Sequence, residues 1–117
     1  MKRSLVVDDN AVNRKLAVAL LKRRGWEVVE AENGQVGLNK LAEGTFDVVL
    51  LDISMPVMDG EEACRQIRAN PQWASLRVVA YTAHALESER ERIMSAGFDD
   101  MLIKPITSKD LERAIPG

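Results

Sequence analysis

The chain has 117 residues, which is the size of one ordinary domain and too short for two hydrophobic cores. Its 16 basic and 18 acidic residues leave a formal net charge of -2, so no basic excess indicates nucleic-acid binding. With one histidine (His84) and one cysteine (Cys64), it can form neither an internal disulfide nor a metal site built on several histidines.

Apolar stretches of the chain are too short to cross a membrane, and the run at residues 48–51 is followed at once by Asp52. The first four residues have the positive start of a signal peptide, but Asp8 and Asp9 interrupt the apolar run behind them. We therefore expect a cytoplasmic protein without a membrane partner.

Short runs rich in Val, Leu and Ile predict five strands, at residues 5–7, 26–29, 48–51, 78–81 and 101–103. Segments of helical periodicity separate them. The first places Val12, Leu16 and Leu20 on one face and ends at Gly25. The second runs from Asn33 to near Gly44.

The ends of the last three helices can be placed from the sequence, although Ala85-Leu86 offers no strong N-cap for the fourth. Asp59 is a good N-cap for the third, and Glu62 is its expected capping-box partner. The fourth spans residues 86–96 and stops at Gly97. Thr107 caps a fifth, which runs from 108 to about 115. Because the strands are apolar on both faces, the five strand–helix repeats predict an α/β fold with a doubly wound parallel sheet.

Polar residues follow four of the five predicted strands. Asp8 and Asp9 follow the first, Asp52 the third, Thr82 the fourth and Lys104 the fifth. Ligands of open parallel sheets bind at the carboxyl ends of the strands, so we expect these side chains to converge there. Glu30 and Glu32, at the end of the second strand, do not fit the cluster.

The expected cluster suits a divalent cation and a phosphoryl group. Three carboxylates repel one another unless a cation lies among them, and hard oxygen ligands suit Mg²⁺. Lys104 and Thr82 could hold phosphoryl oxygens, and a carboxylate such as Asp52 can accept a phosphoryl group as a nucleophile. Taken alone, Asp9 or the neighbouring Asn10 could equally be a helix cap.

Four segments in order carry a family resemblance: Leu-Val-Val-Asp-Asp-Asn at 5–10, Val-Val-Leu-Leu-Asp-Ile-Ser-Met-Pro-Val-Met-Asp-Gly at 48–60, Tyr-Thr-Ala-His-Ala at 81–85 and Lys-Pro-Ile at 104–106. The sequence resembles response-regulator receiver domains of two-component signalling over essentially its whole length, most of all those of hybrid histidine kinases. The resemblance implies a flavodoxin-like sheet of order 2-1-3-4-5 with five helices. We expect one receiver domain over residues 1–117, without an output domain.

The resemblance also implies a role for each site residue. Asp52 matches the phosphoacceptor. Asp9 matches a direct Mg²⁺ ligand, Asp8 a ligand acting through water, and Ser54 a backbone-carbonyl ligand, with Mn²⁺ as an alternative metal. Thr82 matches the switch hydroxyl, and Lys104 the lysine that pairs with the phosphoryl group.

Further positions carry secondary expectations from the family. The peptide bond before Pro105 is typically cis there. Ser54 and His84 border the acceptor and would tune the loss of phosphate. Met101 is a departure, because receivers usually carry an aromatic residue at this position that turns inward on activation.

The expected partner is a histidine kinase or a histidine-phosphotransfer domain. Its docking face would lie on the first helix and the loop after Lys104, at Ala11, Arg14, Lys15, Val18, Pro105 and Ile106. We expect no enzyme activity on outside substrates. The alternatives are a receiver-like interaction module that is not phosphorylated and, on weaker grounds, a phosphatase with an aspartyl-phosphate intermediate.

Overall fold

The computed structural model describes residues 2–55, 57–83 and 86–116. Its sheet contains five strands, β1 (Arg3–Val7), β2 (Glu27–Ala31), β3 (Val48–Asp52), β4 (Arg77–Thr82) and β5 (Asp100–Ile103). All neighbours pair in parallel, in the order β2-β1-β3-β4-β5. The helices are α1 (Ala11–Arg23), α2 (Gly34–Glu43), α3 (Gly60–Ala69), α4 (Glu87–Ser95) and α5 (Ser108–Ala114). The predicted fold class and strand order are confirmed.

The sheet separates two hydrophobic cores. Alternate strand residues point to opposite faces, so Leu5 and Val49 pack toward α2, α3 and α4, while Val6 and Leu50 pack toward α1 and α5. The central strand β3 is buried along its whole length. Burial on both faces is what the continuous apolar runs predict.

Side-chain caps fix where most of the helices begin. Asn10, Asn33 and Asp59 each accept a hydrogen bond from the backbone amide three residues on, at 2.9–3.0 Å. Thr107 forms a reciprocal capping box with Asp110. At α3 the prediction holds for Asp59, whereas the Glu62 carboxylate instead accepts from two side chains of its own helix, Arg65 and Gln66.

The buried face of α1 differs from the prediction. Val12 is 79% exposed and Leu16 is 41% exposed, and the helix buries Ala17, Val18 and Leu21 instead. The helix starts at the carboxyl edge of the sheet, so its first turn has little of the sheet beneath it. The apolar spacing of Val12 and Leu16 therefore marks an exposed stripe rather than a core face.

The two ends of α4 are held differently. At its C-terminal end, Arg68 of α3 donates to the carbonyl oxygens of Gly97 and Leu76, at 2.8 and 2.7 Å, and pairs with Asp99 at 2.6 Å. At its N-terminal end the cap position is Leu86, whose side chain has no hydrogen-bond acceptor. The C-terminal end of α4 is thus tied to α3 and β4, while its start lacks a side-chain cap.

In the part of the chain that the structure covers, no helix combines the length and apolar character needed to span a bilayer. The connection between α3 and β4 contains a short 3₁₀ helix at Pro71–Trp73.

Candidate functional site

The strand order brings the predicted polar residues to one edge of the sheet. Asp8 directly follows β1, Asp52 ends β3, Thr82 ends β4 and Lys104 follows β5. Because β1, β3, β4 and β5 are consecutive neighbours, their carboxyl ends form one continuous rim. β2 lies outside this run, and its Glu30 pairs with Arg14 at 2.9 Å instead.

An acidic cluster occupies this rim. Carboxylate oxygens of Asp8, Asp9 and Asp52 all lie within 4.8 Å of one another. Asp8 and Asp52 are buried, whereas Asp9 is exposed. The cluster is therefore open to solvent on the side of Asp9.

Lys104 lies between the two buried carboxylates. Its Nζ is 3.2 Å from Oδ2 of Asp8 and 3.3 Å from Oδ1 of Asp52. Its backbone amide donates to the carbonyl oxygen of Thr82 at 2.8 Å, and the Lys104–Pro105 peptide bond is cis. The ammonium group is thus held where it can neutralise either acid.

The environments of Asp8 and Asp52 drive their pKa values apart. Burial and the neighbouring Asp8 carboxylate raise the pKa of Asp52 to about 7, and Lys104 offsets only part of this rise. Burial also opposes ionisation of Asp8, but hydrogen bonds from Tyr81 and the Asn10 amide, with Lys104, leave its pKa below the ordinary value. Asp52 is therefore the group that titrates near neutrality.

The residues present fit a hard divalent cation. When ionised, the three carboxylates exceed the single ammonium by two negative charges, and their oxygens are the ligands that Mg²⁺ prefers. Ser54 is exposed beside them, and its amide donates to Oδ1 of Asp52 at 3.3 Å.

The β3–α3 connection returns closely to the end of β3. Gly60 donates to the Ile53 carbonyl oxygen at 3.0 Å, and a Cβ at Gly60 would overlap the carbonyl oxygen of Asp52. Within this loop, Val57 has a φ of 72°, a left-handed conformation that is strained for a β-branched residue. Backbone contact, rather than conformational freedom, explains the glycine at position 60.

Two further predicted positions, Thr82 and Met101, lie in the described part of the chain. Thr82 is buried and lies one residue beyond Tyr81, which is the register partner of Asp52. Met101 is already buried, in the core cluster that includes Ile93 of α4. His84 lies outside the described residues.

Two residues at the site were missed by sequence reasoning. The Tyr81 hydroxyl donates to Oδ2 of Asp8 at 2.6 Å, and Arg14 donates to the Asp8 carbonyl oxygen at 2.8 Å. The available signal was that a buried tyrosine needs a hydrogen-bond partner, and the carboxylates were the polar groups at that strand end.

Comparison with known proteins identifies the family. A sequence profile described as the response regulator receiver domain matches residues 4–116. The chain belongs to the response regulator receiver family. Among curated proteins, this receiver is 41% identical over 116 residues to the sensor protein GacS of Pseudomonas syringae pv. syringae, a match that covers 97% of the chain and 13% of GacS. It thus spans only a small part of that relative.

Solved structures agree. The receiver domain of the sensor histidine kinase PA1611 from Pseudomonas aeruginosa PAO1, with a magnesium ion coordinated in its active-site cleft, matches with a TM-score of 0.88 and 34% identity, over 96% of this chain and 92% of that one. The chemotaxis protein CheY4 of Vibrio cholerae matches with a TM-score of 0.90 and 28% identity, over 97% and 94%. Receiver domains bind Mg²⁺ and serve signalling, typically without catalysis on outside substrates.

Proposed function

We propose that this receiver is a phosphorylation switch in which Asp52 accepts a phosphoryl group from a phosphohistidine of a partner protein, in the presence of Mg²⁺. One observation carries the proposal. A buried Asp52 carboxylate lies in a three-carboxylate cluster, 3.3 Å from the Lys104 ammonium group, at a rim that opens to solvent beside Asp9. The receiver-domain profile matches residues 4–116, which supports the proposal that residues 1–117 form a single receiver domain.

The transfer is a nucleophilic displacement at phosphorus. A carboxylate oxygen of Asp52 bonds to phosphorus while the bond to the histidine nitrogen breaks, and that nitrogen keeps the electron pair. Bound Mg²⁺ would reduce the charge repulsion between the carboxylate and the phosphoryl oxygens. We propose that the Mg²⁺ ligands would be Asp9, Asp52 and the Ser54 carbonyl oxygen, and that Asp8 would act through a water molecule. Mn²⁺ is the alternative metal. Lys104 is close enough to Asp52 to pair with the new phosphoryl group.

The added charge would then bias the structure through Thr82 and Lys104, which join β4 and β5 at the rim. We assign Ser54 and His84 to tuning the loss of phosphate. Met101 lacks an aromatic ring and is buried in the same core cluster as Ile93 of α4. We infer that it couples β5 to α4 by flexible packing rather than by turning a ring inward.

The partner we propose is a histidine kinase or a histidine-phosphotransfer domain. Three exposed residues of this chain support a docking surface for that partner: the apolar Val12 and Leu16 on α1, and Pro105. The prediction was wrong for Val18 and Ile106, because both side chains are buried in the core and cannot form part of a docking face. Arg14 and Lys15 both pair with Glu30.

We propose no nucleic-acid or membrane partner for this domain, and a cytoplasmic location.

Incubation with acetyl phosphate and Mg²⁺, followed by intact-mass measurement, tests the proposal. We expect a gain of one phosphoryl mass that is lost in Asp52→Asn. Asp59→Asn is a matched control, because it makes the same chemical change at an exposed helix cap. Absence of the mass gain, or its persistence in Asp52→Asn, would contradict the proposal. Continuous turnover of a small phosphoester would instead favour a phosphatase.

A further inference from the structure

Tyr81 contacts two charged groups of the site at once. Its hydroxyl donates to Oδ2 of Asp8 at 2.6 Å, and the Lys104 Nζ lies 4.5 Å from the centroid of its ring. The side chain is only 1% exposed and packs in the core toward α1 and α5. Tyr81 therefore meets the acid through its oxygen and the lysine through its ring.

The contacts of Asp8 leave little room for another partner. Its Oδ1 accepts from the Asn10 amide at 2.9 Å, and its Oδ2 accepts from Tyr81 and pairs with Lys104 at 3.2 Å. A carboxylate has about four lone-pair positions, and these three contacts use most of them. A cation, or a water molecule bound to it, would compete with the Tyr81 hydroxyl for Asp8.

We propose that Tyr81 is a positioning residue that holds Asp8 and thereby restrains the affinity of the site for a divalent cation. The inference rests on the proposed function, since it assumes that the acidic cluster binds Mg²⁺. A short hydrogen bond from a neutral hydroxyl spreads the negative charge of the carboxylate and occupies one of its acceptor positions. Asp8 therefore attracts a cation less strongly than the same carboxylate would without that hydroxyl.

Tyr81→Phe is the variant that separates the two contacts, because it removes the oxygen and keeps the ring beneath Lys104. Binding of Mg²⁺ is measured from backbone amide shifts during a titration of the unphosphorylated protein. We expect the dissociation constant to fall roughly threefold to tenfold, the size of effect that a typical net hydrogen bond has on an equilibrium. An unchanged or larger dissociation constant would overturn the inference. That result is expected if the hydroxyl only supports the structure of the site, because its removal would then weaken Mg²⁺ binding.

The Asp8→Asn background shows whether the hydroxyl acts through Asp8. In that background we expect Tyr81→Phe to leave the Mg²⁺ affinity unchanged. An effect of the same size with and without Asp8 would count against the inference. If the unaltered protein bound no Mg²⁺, the proposed function would fail as well. Binding without the predicted tightening would overturn this inference alone.

A second readout needs no substitution of the tyrosine. Tyr81 is the only tyrosine of the chain, so a ¹³Cζ-tyrosine label gives a single resonance that reports its hydroxyl. We expect Mg²⁺ to shift this resonance in the unaltered protein and to leave it in place in Asp8→Asn. A resonance that does not respond to saturating Mg²⁺ in the unaltered protein would overturn the inference, even if Tyr81→Phe failed to fold.

Discussion

Asp8 and Asp52 carry the same functional group, and the donors around them make them different. Asp8 receives hydrogen bonds from Tyr81 and the Asn10 amide, so its buried carboxylate is stabilised as an anion. Asp52 faces that anion and has only part of the Lys104 charge in return. A nucleophile whose pKa lies near neutrality follows from this difference.

The raised pKa of Asp52 predicts a dependence of stability on pH in the metal-free protein. Its value is about 7 when folded and 3.8 ordinarily, so the folded state holds the proton more tightly and stability falls as the pH rises across that interval. Asp52→Asn should remove this loss and be more stable by on the order of 1 kcal/mol at slightly alkaline pH.

Urea unfolding at several pH values, with a chelator present, measures the effect. The lowered pKa of Asp8 makes stability depend on pH only when the pH falls below the ordinary value of 3.8. Between pH 3.8 and about 7, the change in stability therefore reports Asp52. Asp59→Asn should follow the unaltered protein. Parallel stability curves for the unaltered protein and Asp52→Asn would contradict the prediction.

The reach of sequence reasoning at this scale depended on where a residue stood. Asp8, Asp52 and Lys104 were brought together correctly because each stands at the carboxyl end of a strand. Tyr81 was interpreted as a strand residue only, although a buried tyrosine needs a hydrogen-bond partner and the carboxylates were the polar groups at that strand end. Val12 and Leu16 have the spacing of a core stripe, and only the position of α1 relative to the sheet edge reveals their exposure.

At the scale of elements, the helices were predicted well where a side chain caps them. The Asn33, Asp59 and Thr107 caps all form as expected, because the geometry needs only a few local residues. The first and fourth strands were longer than their apolar runs, since Arg3 and Arg77 also pair at their amino ends. Polar first residues are not visible in a hydrophobic pattern.

The uncapped start of α4 leads to a second prediction. Leu86→Ser should supply the missing cap and stabilise the first turn by about 1 kcal/mol, or roughly fivefold in protection from exchange. Little packing is lost, because Leu86 is 67% exposed. Amide hydrogen exchange at Ser88 and Glu89 measures the change.

Leu86→Ala is the control for that experiment, since it shortens the side chain without adding an acceptor. Equal protection in the serine and alanine variants would show that the cap is not what limits the start of α4.

At the scale of the whole molecule, the site exists because of the strand order. A doubly wound parallel sheet followed from the alternation of apolar strands and amphipathic helices. The order β2-β1-β3-β4-β5 could be expected only from the family resemblance, because hydrophobic patterns do not say which strands are neighbours. That order places β3 and its Asp52 at the centre of the rim.

A cation shared between several strand ends should stabilise the entire fold. At about ten times the dissociation constant, Mg²⁺ should add about 1.4 kcal/mol and raise the Tm by about 6 °C. A thermal unfolding series with Mg²⁺, followed by addition of a chelator, measures the shift and its reversal.

Asp9→Asn should abolish the Mg²⁺ shift without a large loss of stability, because Asp9 is an exposed member of the cluster. A metal site at the rim would be contradicted if Mg²⁺ did not change the Tm, or if it raised the Tm of Asp9→Asn by the same amount.

The unequal ends of α4 determine how this helix can swing. Arg68 of α3 holds the C-terminal end at Gly97, while at the opposite end the cap position, Leu86, lies four residues after Thr82 and makes no side-chain hydrogen bond to the helix. The nine residues of α4 make a rod about 13 Å long. A tilt of about 10° around Arg68 would move the N-terminal end by roughly 2 Å and the C-terminal end hardly at all. If phosphorylation of Asp52 pulled on the first turn of α4, the helix would act as a lever about Arg68, and a small displacement of that turn would become a rotation of the surface that α4 presents.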